Sequence, residues 1–433
     1  MAAGHRGGTT RSRQHHRRDL ARSRATLYRR SRGRKPGALL PLQESPLPSR
    51  RIVTRPTAKL SLAIAAAITT VTIAGIGLSL SVTLISLRLA QLGYSARAIG
   101  FHTAGSGLLA LATAPYVPWL ARKIGVRRLL IAALPLGAAC LAAFDLTHGY
   151  WPWLAVRSIY GIALTIMFIL GEFWISAVVW PHRRGLVMGI YATAIAAGFA
   201  AGPFLLAAVG PGGAAPFLVA ALLSLAAMLP IGLAGTDAPV LQKTEPLPFL
   251  GILRDAPAAT TAALLYGAIE ATAFGLFPVF ALRQGWGAGA AAVASAVFAL
   301  GNALLQIPTG LAADRFGRAR LLILIGGLGA LGALILPLAA QTAYVAYVIL
   351  LFVWSGIVGG LYAVGLTSLA SRYSGAPLAR ANAAYILLYS AGALIGPPLF
   401  GFSLDLAPAG LFIALALALA GFFALALKRD ANP

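Results

Sequence analysis

Charge is what this chain has least of. Only 11% of its 433 residues are charged, where a soluble domain carries about 25%. Acids are scarcer still, eleven Asp and Glu against thirty-five Lys and Arg. No soluble core could bury the apolar surface that remains, so an aqueous globular domain is excluded and lipid must cover the chain. One cysteine, Cys140, lies in an apolar run and excludes any intramolecular disulfide. The six histidines are scattered, and no His, Cys or carboxylate cluster has metal-ligand spacing, so no metal or other cofactor is expected. A Gly-x-x-x-x-Gly-Lys-Ser/Thr loop is missing, and with it a case for ATP use. No grouping of nucleophile and base supports a membrane enzyme.

What is present is apolar length. Hydrophobic residues make up 59%. Twelve runs of about 20 residues or more are each long enough for the roughly 30 Å hydrocarbon layer. They cover 61–88, 97–120, 127–146, 151–178, 185–208, 214–234, 258–282, 288–312, 320–339, 342–370, 381–403 and 408–427. None alternates as barrel strands must, so all are read as helices. Landmarks recur at a near-constant offset. Gly125 and Gly317 are 192 residues apart, Leu87-Arg88 and Leu282-Arg283 are 195 apart, and Gly202-Pro203 and Gly396-Pro397 are 194 apart. The expected fold is therefore an all-α integral membrane protein, twelve transmembrane helices in two pseudo-symmetric six-helix bundles. An apolar duplicated chain is the signature of a secondary transporter with its site at the repeat interface.

The basic residues give orientation. Fifteen of them lie in residues 1–58, and most others fall in alternate loops, such as Arg122, Lys123, Arg127, Arg128, Arg183, Arg184, Lys243 and Arg254. The opposite loops carry only Arg88, Arg97 and Arg283. By the positive-inside rule both termini of a multi-pass membrane protein are expected in the cytoplasm. Residues 1–58 are too polar to pack and are expected to be disordered. Three readings stay open for that tail: contact with anionic lipid headgroups, nucleic acid, or a stretch upstream of the true start. Nucleic acid is disfavoured, because the tail has a single aromatic, Tyr28. The N-terminal bundle is expected over 59–235, a Pro-broken cytoplasmic linker over 236–257, and the C-terminal bundle over 258–433.

Three motifs lead to a family. Gly310-Leu-Ala-Ala-Asp314-Arg315-Phe-Gly317-Arg318-Ala-Arg320 follows the eighth run. Gly317 permits a tight turn, and Asp314 can face the N-terminus of a neighbouring helix. The first copy keeps Gly125, Arg127 and Arg128 but has Arg122 where an acid would stand. Gly198-x-x-x-Gly202-Pro203 and Gly392-x-x-x-Gly396-Pro397 place small residues four apart, which lets helices approach closely, here at the seam between the halves. Arg157-x-x-Tyr160-Gly161 sets a cation inside the fourth run. Together these resemble the signature loop, the antiporter motif and the intramembrane Arg motif of the major facilitator superfamily. With Glu172-Phe-Trp174, His182-Arg-Arg-Gly and Tyr266-Gly-Ala-Ile-Glu270, the chain resembles its bacterial YcaD-like branch. The resemblance implies that the loop at Gly310, Asp314, Arg315, Gly317, Arg318 and Arg320 latches the halves together. It implies that the latch is one-sided, since Gly125 and Arg128 have no acid beside them.

Glu172 and Glu270 are the carboxylates well inside expected spans, and with Arg157 they make up the intramembrane charge. A carboxyl taken out of water favours its neutral form and can carry a proton. Glu270 is central in its run, with Tyr266 one turn earlier on the same face. Substrate or proton coupling is therefore expected at Glu270, Glu172, Arg157, Tyr266, Tyr160 and Trp174. Aromatics at similar levels, Tyr191, Tyr385 and Tyr389 among them, favour a planar or amphipathic solute over an inorganic ion. The reading is a proton-coupled secondary transporter, a monomer that meets a small organic substrate and membrane lipid but no nucleic acid. Export is favoured, and import of a planar aromatic nutrient such as a vitamin is the alternative. A non-transporting membrane scaffold is the alternative of another class.

Overall fold

The computed structural model describes residues 58–179, 184–233, 255–373 and 375–430. The expected tail and nearly all of the expected linker lie outside the described residues. Among those described, the structure is helical with no strand. Residues up to 233 form α1 (Ala58–Gln91), α2 (Ala96–Thr113), α3 (Val117–Ile124), α4 (Val126–Leu146), α5 (Tyr150–Val178), α6 (Arg184–Val209), α7 (Ala215–Ala226) and α8 (Met228–Leu233). From 257 they form α9 (Pro257–Gly275), α10 (Phe277–Arg283), α11 (Ala288–Phe316), α12 (Arg318–Thr342), α13 (Tyr344–Arg372), α14 (Gly375–Leu406) and α15 (Gly410–Asp430).

Among the described residues, ten helical segments are long and apolar enough to cross a membrane, with α7 and α8 counted as one, and the bent pair α9–α10 makes an eleventh. The expected span at 97–120 is not one straight helix. A 3-10 turn at Ala114–Tyr116 divides it into α2 and α3, where Pro115 and Pro118 cannot donate to the helical ladder. The expected span at 258–282 bends by 46° between α9 and α10. Pro278 cannot donate to the carbonyl of Phe274, and the Thr83 hydroxyl of α1 donates to it instead, at 3.3 Å. Ser295 of α11 does the same for the Ala273 carbonyl at 2.9 Å. The break is thereby tolerated at membrane depth, because protein groups replace the lost backbone partners.

The repeated punctuation has one physical cause. Gly125 (φ 99°) and Gly317 (φ 85°) both turn the chain through the left-handed region that favours glycine. They lie at the same end of the helices, the Gly317 end. The turn at Gly93 marks the other.

Two helix pairs make the main contact between the first half and the second, α2 with α14 and α6 with α11. The α2/α14 seam is closest toward the Gly93 end. A Cβ on Gly100 would stand 2.1 Å from the Pro397 carbonyl, and one on Gly401 would stand 2.4 Å from that of Ala96. The expected crossings of Gly198/Gly202 and Gly392/Gly396 at the seam between halves are not there. Gly198 and Gly202 face α1, with Cβ positions 2.4 Å from Thr72 O and 2.1 Å from Ser79 Oγ. Gly392 and Gly396 face α9, 1.8 Å from Leu264 O and 2.5 Å from Ala268 Cα. Each motif therefore serves a crossing inside its own half, with Pro203 and Pro397 one residue beyond.

Candidate functional site

Close packing of α9 on α14 builds the polar centre of the second half. Gly267 lets α9 lie against the backbone of Tyr389, where a Cβ would meet its carbonyl at 2.0 Å. At that separation the Tyr389 hydroxyl reaches Glu270 and donates to Oε2. From within α9 the Tyr266 hydroxyl donates to Oε1 at 2.9 Å. Asn302 of α11 in turn donates its Nδ2 proton to the Tyr266 oxygen. The chain of donors has one direction: Asn302 to Tyr266 to Glu270, with Tyr389 arriving from the other side. Each carboxylate oxygen is thus met by one tyrosine hydroxyl.

Tyrosine rings surround this carboxylate. Tyr362 of α13 has its ring centroid 5.5 Å from Tyr266 and 5.8 Å from Tyr389. Tyr266 and Tyr389 are 6.1 Å apart and near-parallel. Tyr385 backs the group and holds Tyr362 in place, its ring 5.4 Å away and its hydroxyl donating to the Tyr362 carbonyl at 2.8 Å. Glu270, Tyr362 and Tyr389 are half-buried. Glu172 of α5 is exposed and lies within electrostatic reach of Tyr191 and Tyr362, while Tyr362 is also in reach of Glu270. The two glutamates, on opposite halves, thus share one tyrosine, Tyr362.

The six residues grouped from the sequence do not form one site. Glu270 and Tyr266 are bonded, and Glu172 approaches through Tyr362. Arg157 is buried, 3% exposed, and grouped with His102 and Tyr160 rather than with either glutamate. Tyr160 is also buried and fills the space left by Gly77 and Gly137. Trp174 is buried in the apolar core. It is two residues from Glu172, about 200° around the helix, so it points away from the face that carries the acid. Two contributors escaped the sequence reading. Tyr362 carries no local signal. Asn302 does, as an amide in an apolar run. Among the described residues no three His, Cys, Asp or Glu come together to hold a metal.

At the Gly317 end the expected latch is undone. Asp314 is exposed and makes no hydrogen bond or ion pair among the described residues. Gly310 has nothing beside it, Arg315 lies over the ring of Phe316 at 5.7 Å, and Arg128 and Arg320 are exposed with Arg318 partly so. The first-copy loop is tied within its own half, where Arg127 donates to the carbonyls of Ile231 and Gly232 at 3.1 and 2.8 Å.

Comparison with known proteins agrees with this architecture. The sequence profile of the Major Facilitator Superfamily matches residues 62–375 and again 260–433. The Bacillus subtilis (strain 168) protein "Uncharacterized MFS-type transporter YfkF" is 27% identical over 322 residues, 72% of this chain and 81% of that protein. The YcaD transporter of Salmonella arizonae, also termed uncharacterized and MFS-type, is 25% identical over 323 residues, 73% and 82% of the two. Among solved structures, a bacterial homologue of the human lysosomal transporter Spinster, inward-facing and occupied, superposes with a TM-score of 0.70 at 14% identity, over 87% of this chain and 98% of that one. The nucleoside transporter NupG does so with 0.65 at 16% identity, over 87% and 99%. At such identities the likeness is one of fold.

Proposed function

The chain belongs to the Major Facilitator Superfamily and is a membrane transporter, and from that premise we propose that it couples the movement of a small organic solute to a proton carried by Glu270. The observation that carries the proposal is the pair of tyrosine hydroxyls donating to the two oxygens of one carboxylate, from two different helices. When Glu270 gains a proton, one oxygen changes from acceptor to donor. The tyrosine hydroxyl facing that oxygen must then reorient, to accept where it donated or to bond elsewhere, so protonation changes how α9 is bonded to α14 at Tyr389 or, through Tyr266 and Asn302, to α11. Proton uptake is in this way converted into a change of helix packing.

The solute is a planar organic cation. Tyrosine faces attract cations, and carboxylates stand on both sides of them. The two bundles, 59–235 and 258–433, move relative to each other about this site, with 236–257 as their link. The Gly317 end faces the cytoplasm with both termini, as the distribution of Lys and Arg supports, and the protein works as a monomer in the bacterial inner membrane. Export is the direction supported by the antiporter-like Gly198-x-x-x-Gly202-Pro203.

The test uses purified protein in liposomes under an imposed pH gradient, with an aromatic ammonium probe and its neutral isostere. Glu270→Gln should lose gradient-driven accumulation of the ammonium probe and keep exchange. Normal accumulation by this variant would make Glu270 structural and move the role to Glu172. Normal accumulation by Glu270→Gln and Glu172→Gln alike would end the proton-coupled reading.

A further inference from the structure

The contact expected of Asp314, a carboxylate on the N-terminus of a neighbouring helix, is made at the opposite end by a different residue. Asp405, in the last turn of α14, accepts hydrogen bonds from the backbone N–H groups of Ala96 and Arg97 at 2.9 and 2.8 Å. These are the first two residues of α2, which belongs to the other half. The third N–H, of Ala98, is taken by Ser95 at 3.2 Å. Helix starts leave such donors unsatisfied and carry partial positive charge, so a carboxylate there is bonded and electrostatically favoured. Arg283, at the end of α10, holds the same carboxylate at 2.6 Å and the Leu404 carbonyl at 2.8 Å. The Arg97 guanidinium lies over the ring of Phe402 at 5.7 Å and adds a second bridge across the seam.

The repeat-related place is built differently. Arg88, the counterpart of Arg283, also grips the end of a helix pair, donating to the carbonyls of Pro211 and Gly213 at 3.4 and 2.5 Å. The acid beside Arg88 is Asp145 of α4, at 3.9 Å, and none stands at the end of α6, since the residue 195 positions before Asp405 is Gly210. The start of α11, which corresponds to that of α2, has no side-chain cap. The carboxylate is therefore no requirement of the scaffold.

We propose that Asp405 is the interlock that holds the Gly93 end shut, and that releasing it from α2 is the step that opens the transporter to that side. The proposal rests on the alternating-access reading of the fold. Because opening one end closes the other, losing the interlock should change both ends in opposite senses.

The experiment is pulsed electron–electron distance measurement on the full chain in lipid discs, with the buried Cys140 replaced by Ala. One spin-label pair, His148 and Gln341, reports the Gly93 end, and a second, Lys123 and Ala319, reports the Gly317 end. Asp405→Ala should raise the ratio of long to short distances in the first pair by about tenfold, the effect of one charge-assisted hydrogen bond. The second pair should shorten in step. Asp405→Asn should fall between the two proteins. Arg283→Gln, which leaves Asp405 accepting from the backbone N–H groups of Ala96 and Arg97, should move both pairs the same way by less, and it serves if Asp405→Ala does not fold. Unchanged distributions in both pairs, with only a lower melting temperature, would overturn the proposal and leave Asp405 as a structural cap. Reciprocal shifts in a protein that carries no probe under a pH gradient would uphold the interlock and defeat the proposed coupling instead.

Discussion

The two halves share their packing and differ in their chemistry. Gly198 on Thr72 and Gly392 on Leu264 make the same backbone-to-backbone crossing. Yet 195 positions before Glu270, Asn302 and Asp405 stand Gly75, Gly107 and Gly210. In the other direction, His102 and Arg157 of the first half correspond to Val297 and Phe352. Exchanging access between two faces needs two similar rigid bodies, so helix-crossing residues are held in duplicate. A proton site or an interlock needs to exist only once, so its polar groups are free to settle in one copy.

The sharpest way to break this comparison is at the shared crossings. Gly198→Leu and Gly392→Leu should both abolish recovery of monodisperse folded protein by size-exclusion chromatography, because even the Cβ has no room. Damage in one half alone would mean that the crossings are not equivalent. Next come the two seams. Gly100→Ala should disfavour closure of the Gly93 end by about 1–3 kcal/mol of overpacking, a change of roughly 5- to 150-fold in the ratio of long to short spin-label distances. Gly289→Ala at the other seam, with its nearest atom 4.0 Å away, should leave them unchanged. Equal effects would show that both seams gate alike. Smaller again is the loss of one donor: Tyr389→Phe should reduce proton-driven accumulation about tenfold, while Tyr160→Phe in the first half leaves it unaltered. The smallest effect is expected from Arg122→Asp, which writes the acid of the second loop into the first. Such an exposed change should favour the closed Gly317 end only a few-fold, read from the Lys123–Ala319 distance.

The features legible in the sequence were those with local causes. Apolar run length gave the helices to within a few residues at most ends, as at 127–146 against Val126–Leu146. Glycine at a turn, and Tyr266 one turn before Glu270, depend only on backbone geometry within a few residues. Pro278 was visible, but the bend it causes was not, because a proline breaks a span only where neighbours such as Thr83 and Ser295 satisfy the freed carbonyls. Nearness in sequence to Arg157 and Glu172 suggests Tyr160 and Trp174 for the site, whereas the side of the helix they occupy sends them into the core.

By itself the sequence determined that this chain crosses a membrane many times, in two related halves, with a carboxylate at mid-depth in the seventh segment. These follow from hydropathy, periodicity and the cost of a charge in lipid, all of which act along the chain. Tertiary structure alone decided which groups answer that carboxylate, and which end is shut. Tyr389 lies 119 residues from Glu270, and Asp405 lies 309 from Ala96. Hydrogen bonds require approach to about 3 Å, and that approach is set by where glycines let helices cross. Such partnerships leave no periodic trace in a single sequence.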